Sequence, residues 1–253
     1  MSSRLSGKVC IITGTGGSIG REAALTFARE GASVVGCDAN VDAAEETSEM
    51  VRCEGGTMAS LHPCHLGDPG HCRALIDFAM RTFSRIDVLF NNASTTHFNW
   101  LEDISDEEWT RNRRGELDLV FYLTRAAWPH LKASRGVIVN TASLAALMSF
   151  RNLGSLAHTT ATAGIIAMTR QLAMEGRDHG IRANSISPGM IETDETRNHL
   201  QDPGSADSIV GKTLLGRLGR PEEVANVALF LASGESSYVT GVDIVVDGGM
   251  RVW

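Results

Sequence analysis

The chain has 253 residues, of which 43% are hydrophobic, and a formal net charge of −7. That length suffices to bury a large core within one domain spanning residues 1–253. The acidic balance and the lack of any basic run argue against nucleic acid or a membrane as partner, and no stretch of about 18 apolar residues marks a membrane span.

Met1–Leu5 leads straight into a strand pattern, without the apolar region and cleavage site of a signal peptide, so a cytoplasmic protein is expected. The run Val9-Cys10-Ile11-Ile12 reads as a buried strand closed by the glycine-rich Gly14–Gly20, and a helix pattern follows to about Glu30. Ser33–Cys37 is the next strand, Val41–Cys53 the next helix, Thr57–His62 the third strand and Asp68–Phe83 the third helix. The cysteines Cys10, Cys37, Cys53, Cys64 and Cys72 are odd in number and confined to the first third, which excludes a disulfide framework. The local cluster His62, Cys64, His65, His71 and Cys72 lacks a CxxC pair and crosses a strand-to-helix junction, so no metal is expected.

Ile86–Phe90 is the fourth strand, and Ser105–Leu131 contains a long helix with Leu117, Val120, Phe121, Trp128 and Leu131 at helical spacing. Gly136–Asn140, Ile181–Ser187 and Val242–Val246 complete the strands, with helices over Ser155–Gly176 and Pro221–Ser233 between them. The second of these opens with Pro and two acids, a helix-start pattern. Gly189–Gly211 is polar and rich in turn formers, as a substrate lid would be. Apolar strands alternating with helices predict an α/β fold: one doubly wound, Rossmann-type domain with about seven parallel strands and helices on both faces.

The segment Thr13-Gly14-Thr15-Gly16-Gly17-Ser18-Ile19-Gly20 lies between the first strand and the first helix. Glycines there permit a tight turn and let backbone N–H groups approach a pyrophosphate at a helix N-terminus. Asp38 ends the second strand about 20 residues on, where a carboxylate accepts from ribose hydroxyls and repels a 2′-phosphate. With no Arg or Lys directly after it, the expected cofactor is NAD.

Further segments resemble the short-chain dehydrogenase/reductase family across essentially the whole chain. The glycine loop resembles its T-G-x-x-x-G-x-G, and Asn91-Asn92-Ala93-Ser94 its N-N-A-G. Asn140-Thr141-Ala142-Ser143 resembles the strand bearing its catalytic serine, and Ser187-Pro188-Gly189-Met190-Ile191-Glu192-Thr193 its P-G-x-I-x-T segment. Gly219-Arg220-Pro221-Glu222-Glu223-Val224, Phe230-Leu231-Ala232-Ser233 and Val246-Asp247-Gly248-Gly249 are similar to its C-terminal signature. The resemblance implies that Gly14, Ile19 and Gly20 line the pyrophosphate, that Asn92 and Ala93 sit beside the adenosine side, and that Gly17, Ser18 and Ser94 also belong to the cofactor site. By the same resemblance Ile191 and Thr193 contact the nicotinamide carboxamide, and Pro188 and Gly189 belong to the cofactor site with them. It also implies a dimer or tetramer paired through the two long helices, to which the apolar faces of Leu117–Leu131 and Ile165–Met174 are suited.

Alignment through these segments exposes departures. The family's catalytic set is Asn, Ser, Tyr and Lys, the last two as Y-x-x-x-K. Here His158 stands at the Tyr position, Thr162 at the Lys position and Glu116 at the Asn position, and only Ser143 is unchanged. Tyr122 and Tyr238, and Lys8, Lys132 and Lys212, lie elsewhere. Ser18 and Ser94 replace glycines of the cofactor motifs, and His65, followed by Leu66, stands where an Asp often meets adenine.

Imidazole titrates near neutral pH, so His158 is expected to take the Tyr's acid/base role with Glu116 orienting it; Thr162 cannot supply a lysine's charge. The leading expectation is an NAD(H)-dependent alcohol/ketone oxidoreductase in which Ser143 hydrogen-bonds the substrate oxygen. A Ser–His–carboxylate set also fits a non-redox hydrolase-like enzyme, lyase or isomerase with passive or recycled NAD, and a third reading is an inactive NAD-binding homologue. His97 is a further candidate pocket acid. Glu192, Asp194 and Glu195 disfavour an anionic small-molecule substrate.

Overall fold

The structure, a computed structural model, describes residues 3–194, 196 and 210–252. Seven parallel strands form one sheet in the order β3-β2-β1-β4-β5-β6-β7: β1 (Val9–Thr13), β2 (Ser33–Cys37), β3 (Thr57–Leu61), β4 (Val88–Asn91), β5 (Val137–Thr141), β6 (Arg182–Pro188) and β7 (Asp243–Val246). Every residue of β1 is buried, as its apolar run requires when helices cover both faces. One core packs α3 (Pro69–Phe83), α5 (Leu119–Ser134) and α6 (Leu156–Gly176) on the sheet through Leu75, Leu123, Leu131, Ile138 and Ile165. The other packs α1 (Ser18–Arg29), α2 (Val41–Cys53) and the last helix on the opposite face, with Phe27 stacked on Phe90 at 6.3 Å between ring centroids.

Helix starts follow their capping residues. Asn40 accepts from the Ala43 N–H at 3.2 Å to open α2, and Asp68 accepts from the Gly70 N–H to open α3, with Pro69 at the first helical position. Ser105 and Glu108 form a reciprocal capping box at α4 (Asp106–Asn112). The last helix, α7 (Pro221–Ala232), is opened by Glu223, whose carboxylate accepts from the Arg220 N–H at 2.7 Å.

The helix expected within Ser105–Leu131 arrives in three parts: α4, a π-helical turn over Arg113–Asp118, and α5. The cause sits at Gly115. Its carbonyl accepts from the Thr95 N–H at 3.0 Å, and a Cβ on Gly115 would stand 2.9 Å from Thr95. The loop after β4 is thus pressed onto the helix at the one residue lacking a side chain. The widened turn carries Glu116 to the buried side. Much of the apolar face assigned to chain pairing serves the chain's own core instead, because Leu123, Leu131 and Ile165 are buried; Phe121 and Met174 remain exposed.

Strand order reverses between β1 and β4, so α1 leaves β1 and the chain after β4 leaves on opposite faces. A cleft opens at the carboxyl ends of the strands at that switch point. Most of the segment read as a lid, including Glu195, lies outside the described residues. No helix among the described residues is long and apolar enough to cross a membrane.

Candidate functional site

The cleft has a volume of about 1290 Å³. All the residues assigned from sequence to the cofactor line it: Gly14, Gly17, Ser18, Ile19, Gly20, Asp38, His65, Leu66, Asn92, Ala93, Ser94, Pro188, Gly189, Ile191 and Thr193. Of the assigned catalytic residues, Ser143 and His158 line it too, whereas Glu116 and Thr162 do not.

The phosphate end is shaped by close backbone approach. Gly14 has φ +71°, in the left-handed region, and a Cβ there would lie 3.0 Å from Cα of Ala93. Gly17 precedes α1 with no side-chain acceptor on the helix N-terminus, and the first turn carries no acid. Backbone N–H groups and the positive end of the helix dipole are therefore presented to the cleft, which suits a pyrophosphate. Asp38 is fixed by two backbone donors: Gly16 N–H to Oδ2 and Asn40 N–H to Oδ1, both at 2.8 Å. These observations fit a dinucleotide, with Asp38 held at the edge of the cleft.

Thr13, which the sequence reading passed over as a site residue, ties the two halves of this end together. Its buried hydroxyl oxygen accepts from the N–H groups of Asn92 and Ala93, each at 2.9 Å, and its carbonyl accepts from Asn92 Nδ2 at 3.0 Å. The signal for it was the Thr that opens the glycine motif. Beneath the site, Asn91 Nδ2 donates to Asn140 Oδ1 at 2.8 Å and Asn140 Nδ2 donates to Thr169 at 2.9 Å, a buried network joining β4, β5 and α6.

At the opposite end of the cleft, His158 on the first turn of α6 meets Glu116 from the π-helical turn. Nδ1 of His158 is 2.6 Å from Glu116 Oε1, and the two side chains are 14% and 1% exposed. The same Oε1 accepts from Ser94 Oγ at 3.2 Å and Thr96 Oγ1 at 3.0 Å, while Oε2 is buried without a hydrogen-bond partner. An oxygen that collects hydroxyl donors acts as an acceptor, and the tautomer that suits it carries its proton on His158 Nδ1, which leaves Nε2 as the other ring nitrogen. The Phe98 ring stands edge-on to the imidazole at 5.5 Å. Glu116 is therefore screened from the cleft and His158 exposed to it.

Thr162 turns back into its own helix, donating to the His158 carbonyl at 2.8 Å, and is buried. Ser143 Oγ accepts from the Ala145 N–H at 3.1 Å and makes no hydrogen bond to His158. His97 is not in the cleft lining; its backbone exchanges two hydrogen bonds with the Asn112 side chain, at 2.7 and 2.8 Å. In the His/Cys cluster, His71 Nδ1 accepts from the His65 N–H at 2.9 Å and Cys72 Sγ donates to the Leu66 carbonyl. Among the described residues, no group of three or more His, Cys, Asp or Glu is placed to hold a metal ion.

Residues 14–251 match the family described as enoyl-(acyl carrier protein) reductase. The chain is 38% identical to a cyclohexanol dehydrogenase of an Acinetobacter species over 250 residues, covering 98% of this chain and 96% of the other. It belongs to the short-chain dehydrogenase/reductase family. Another member is the 3-oxoacyl-(acyl-carrier-protein) reductase of Thermotoga maritima, 37% identical over 98% of this chain and all of that one. Among solved structures, a 7α-hydroxysteroid dehydrogenase complexed with NADH and 7-oxo glycochenodeoxycholic acid superposes with a TM-score of 0.93 at 33% identity, covering 98% of this chain and 96% of that one. As a short-chain dehydrogenase/reductase, the chain is an oxidoreductase of the type to which alcohol dehydrogenases and acyl-carrier-protein reductases belong.

Proposed function

We propose that the protein is an NAD(H)-dependent oxidoreductase that interconverts a small secondary alcohol and its ketone, with His158 in the place of the usual Tyr. The observation that carries this is the 2.6 Å contact between His158, lining the cleft, and the buried carboxylate of Glu116. A nicotinamide dinucleotide held by the glycine loop and Asp38 would supply the hydride acceptor or donor for the carbinol or carbonyl carbon. His158 Nε2 takes the hydroxyl proton as the alcohol is oxidised and gives it back in reduction. Glu116 holds the ring by its Nδ1–H and offsets the imidazolium charge. Ser143 donates to the substrate oxygen and keeps it over the reacting carbon.

Asp38 supports NAD over NADP, since its carboxylate sits where a 2′-phosphate would need a cation and is followed by Ala39 and Asn40. Phe98, Leu144, Phe150, Leu153 and Met190 line the other end of the cleft and favour an apolar substrate, in keeping with the cyclohexanol dehydrogenase relative. Arg151 and Lys212 line the cleft as well as Asp194, so this end is not uniformly acidic. Ser143 is hydrogen-bonded away from His158, which disfavours a nucleophilic serine and with it the hydrolase-like reading. Exposed Phe121 on α5 and Met174 on α6 support pairing of chains through those helices, in a cytoplasmic dimer or tetramer.

The test is reduction of NAD followed at 340 nm across a panel of cyclic and acyclic secondary alcohols. The reading expects turnover by the parent protein and a loss of about 10²–10⁴-fold in His158→Ala. Conversion of a substrate with no net absorbance change would place the protein in the non-redox class. Tight NAD binding without any turnover would make it an inactive homologue.

A further inference from the structure

Three departures from the family pattern, at positions 94, 116 and 158, meet at a single atom. Glu116 Oε1 receives the His158 imidazole together with the hydroxyls of Ser94 and Thr96, both on the loop after β4. Ser94 stands where the family motif has a glycine, which has no hydroxyl to donate. The two hydroxyls also lie 3.1 Å from each other. With one proton each, they either both donate to Oε1 or pass one donation through the other, and in both arrangements Oε1 gains a donor.

That gain matters because of where the carboxylate sits. Glu116 is buried, and its other oxygen has no partner, so the hydrogen bonds that hold the carboxylate all fall on Oε1. Among the described residues no Lys or Arg is in hydrogen-bond contact with Glu116; its donors there are the two hydroxyls and the imidazole itself. The Gly115 carbonyl, bonded to the Thr95 N–H at 3.0 Å, pins this loop to the π-helical turn between the two donors. The hydroxyls and the carboxylate are thereby held in fixed register.

We infer that Ser94 and Thr96 are positioning residues that hold the Glu116 carboxylate aimed at His158, and so set the imidazole in place as the acid/base. This deepens, and rests on, the reading of His158 as the proton carrier. A hydrogen bond as short as 2.6 Å from Nδ1 gives a far-downfield proton resonance, which provides a readout independent of turnover.

The experiment compares Thr96→Val, Ser94→Gly/Thr96→Val and Thr96→Ser with the parent and with His158→Ala. Two quantities are measured: kcat and KM for NAD and an accepted alcohol, and the His158 Nδ1 proton resonance in the substrate-free protein. Thr96→Val is expected to lose about tenfold in kcat with both KM values within about twofold, and the double variant to lose more. Thr96→Ser is expected to recover most of the loss. The resonance is expected to move upfield in Thr96→Val and to return in Thr96→Ser. Parental kcat in the double variant, or a resonance that does not move, overturns the inference, and so does a loss of kcat that Thr96→Ser fails to restore. Parental kcat in His158→Ala overturns the underlying reading instead, while the resonance still reports whether the hydroxyls hold the pair. Thermal unfolding of each variant separates these outcomes from misfolding.

Discussion

Asp38 reaches back across the first turn of the cleft to Gly16, whose N–H it accepts at 2.8 Å, while its other oxygen accepts from Asn40. The carboxylate is thus held rigidly at the edge of the cleft before any cofactor arrives. A Cβ on Gly16 would stand 3.0 Å from that carboxylate, so the pair is also sterically matched.

This arrangement predicts cofactor choice. Asp38→Ala is expected to weaken NADH binding roughly ten- to a hundredfold, the worth of charge-assisted hydrogen bonds to two hydroxyls. Asp38→Ser combined with Ala39→Arg is expected to make NADPH the tighter ligand. Fluorescence titration of both nucleotides checks this, and an unchanged NADH affinity in Asp38→Ala would show that the carboxylate does not grip the ribose.

Gly20 predicts a steric effect at the same end. A methyl group there would run into the Gly14 carbonyl and lie 2.9 Å from Asn92 Nδ2. Gly20→Ala is expected to cost about 1–3 kcal/mol of stability and to weaken dinucleotide binding at least tenfold, because the loop has no room to yield. Gly234→Ala is the control: nothing lies within 4 Å of the added carbon, and a change within about 0.5 kcal/mol is expected in chemical denaturation.

A third prediction concerns acid. Burial pushes the Asp87 carboxyl up, but Arg85, the Val9 N–H and Lys8 together outweigh it and hold it below its ordinary value of 3.8. The contacts are short: 2.6 and 2.8 Å to Arg85, 3.0 Å to Val9 and 3.2 Å to Lys8. A depressed carboxyl contributes stability above its unfolded value and loses it as pH falls through the folded one. The parent should therefore lose stability as pH drops below about 4. Asp87→Asn should be less stable than the parent at pH 7 by about 1–3 kcal/mol and show a flatter acid limb. Denaturant midpoints between pH 7 and pH 2.5 measure both, and an acid limb equally steep in the variant would rule out Asp87 as its source.

Thiol reactivity gives the fourth. Burial pushes the Cys72 thiol up to about 12 and Cys10 higher still, whereas Cys53 is exposed at the end of α2. Only the thiolate reacts, so iodoacetamide at pH 8 is expected to modify Cys53 well before Cys10 or Cys72 in the native protein. Peptide mass spectrometry over a time course reads the order, and early labelling of Cys72 would contradict its packing against Leu66.

The sequence carried the sheet to within a residue or two, because buried parallel strands are written as apolar runs such as Val9–Ile12 and Val88–Phe90. The cofactor end was legible for a related reason: glycines needed for close approach, and an acid at a strand end, leave marks in the chain itself. The meeting of His158 with Glu116 was readable only through alignment, since 42 positions separate them and no local period joins them. What stayed hidden was the π-helical turn. Its cause is a hydrogen bond between Thr95 and Gly115 across two elements, and helix periodicity over Ser105–Leu131 cannot register a contact made from outside the helix. Ser94 and Thr96 went unread as donors for the same reason: each looks like an ordinary loop residue until the turn brings the carboxylate to it.

The reversal of strand order between β1 and β4 has an evolutionary corollary. On the proposed reading, Gly14–Gly20 and Asp38, before the reversal, serve the phosphate and ribose end of the dinucleotide, while Ser143 and His158, after it, face the space where the second molecule reacts. On the same reading, His158 and Glu116 can serve around the reacting atoms while Gly14, Gly20 and Asp38 stay in place at the other end of the cleft. A lineage can therefore exchange its proton carrier and still inherit, intact, the grip on its electron carrier.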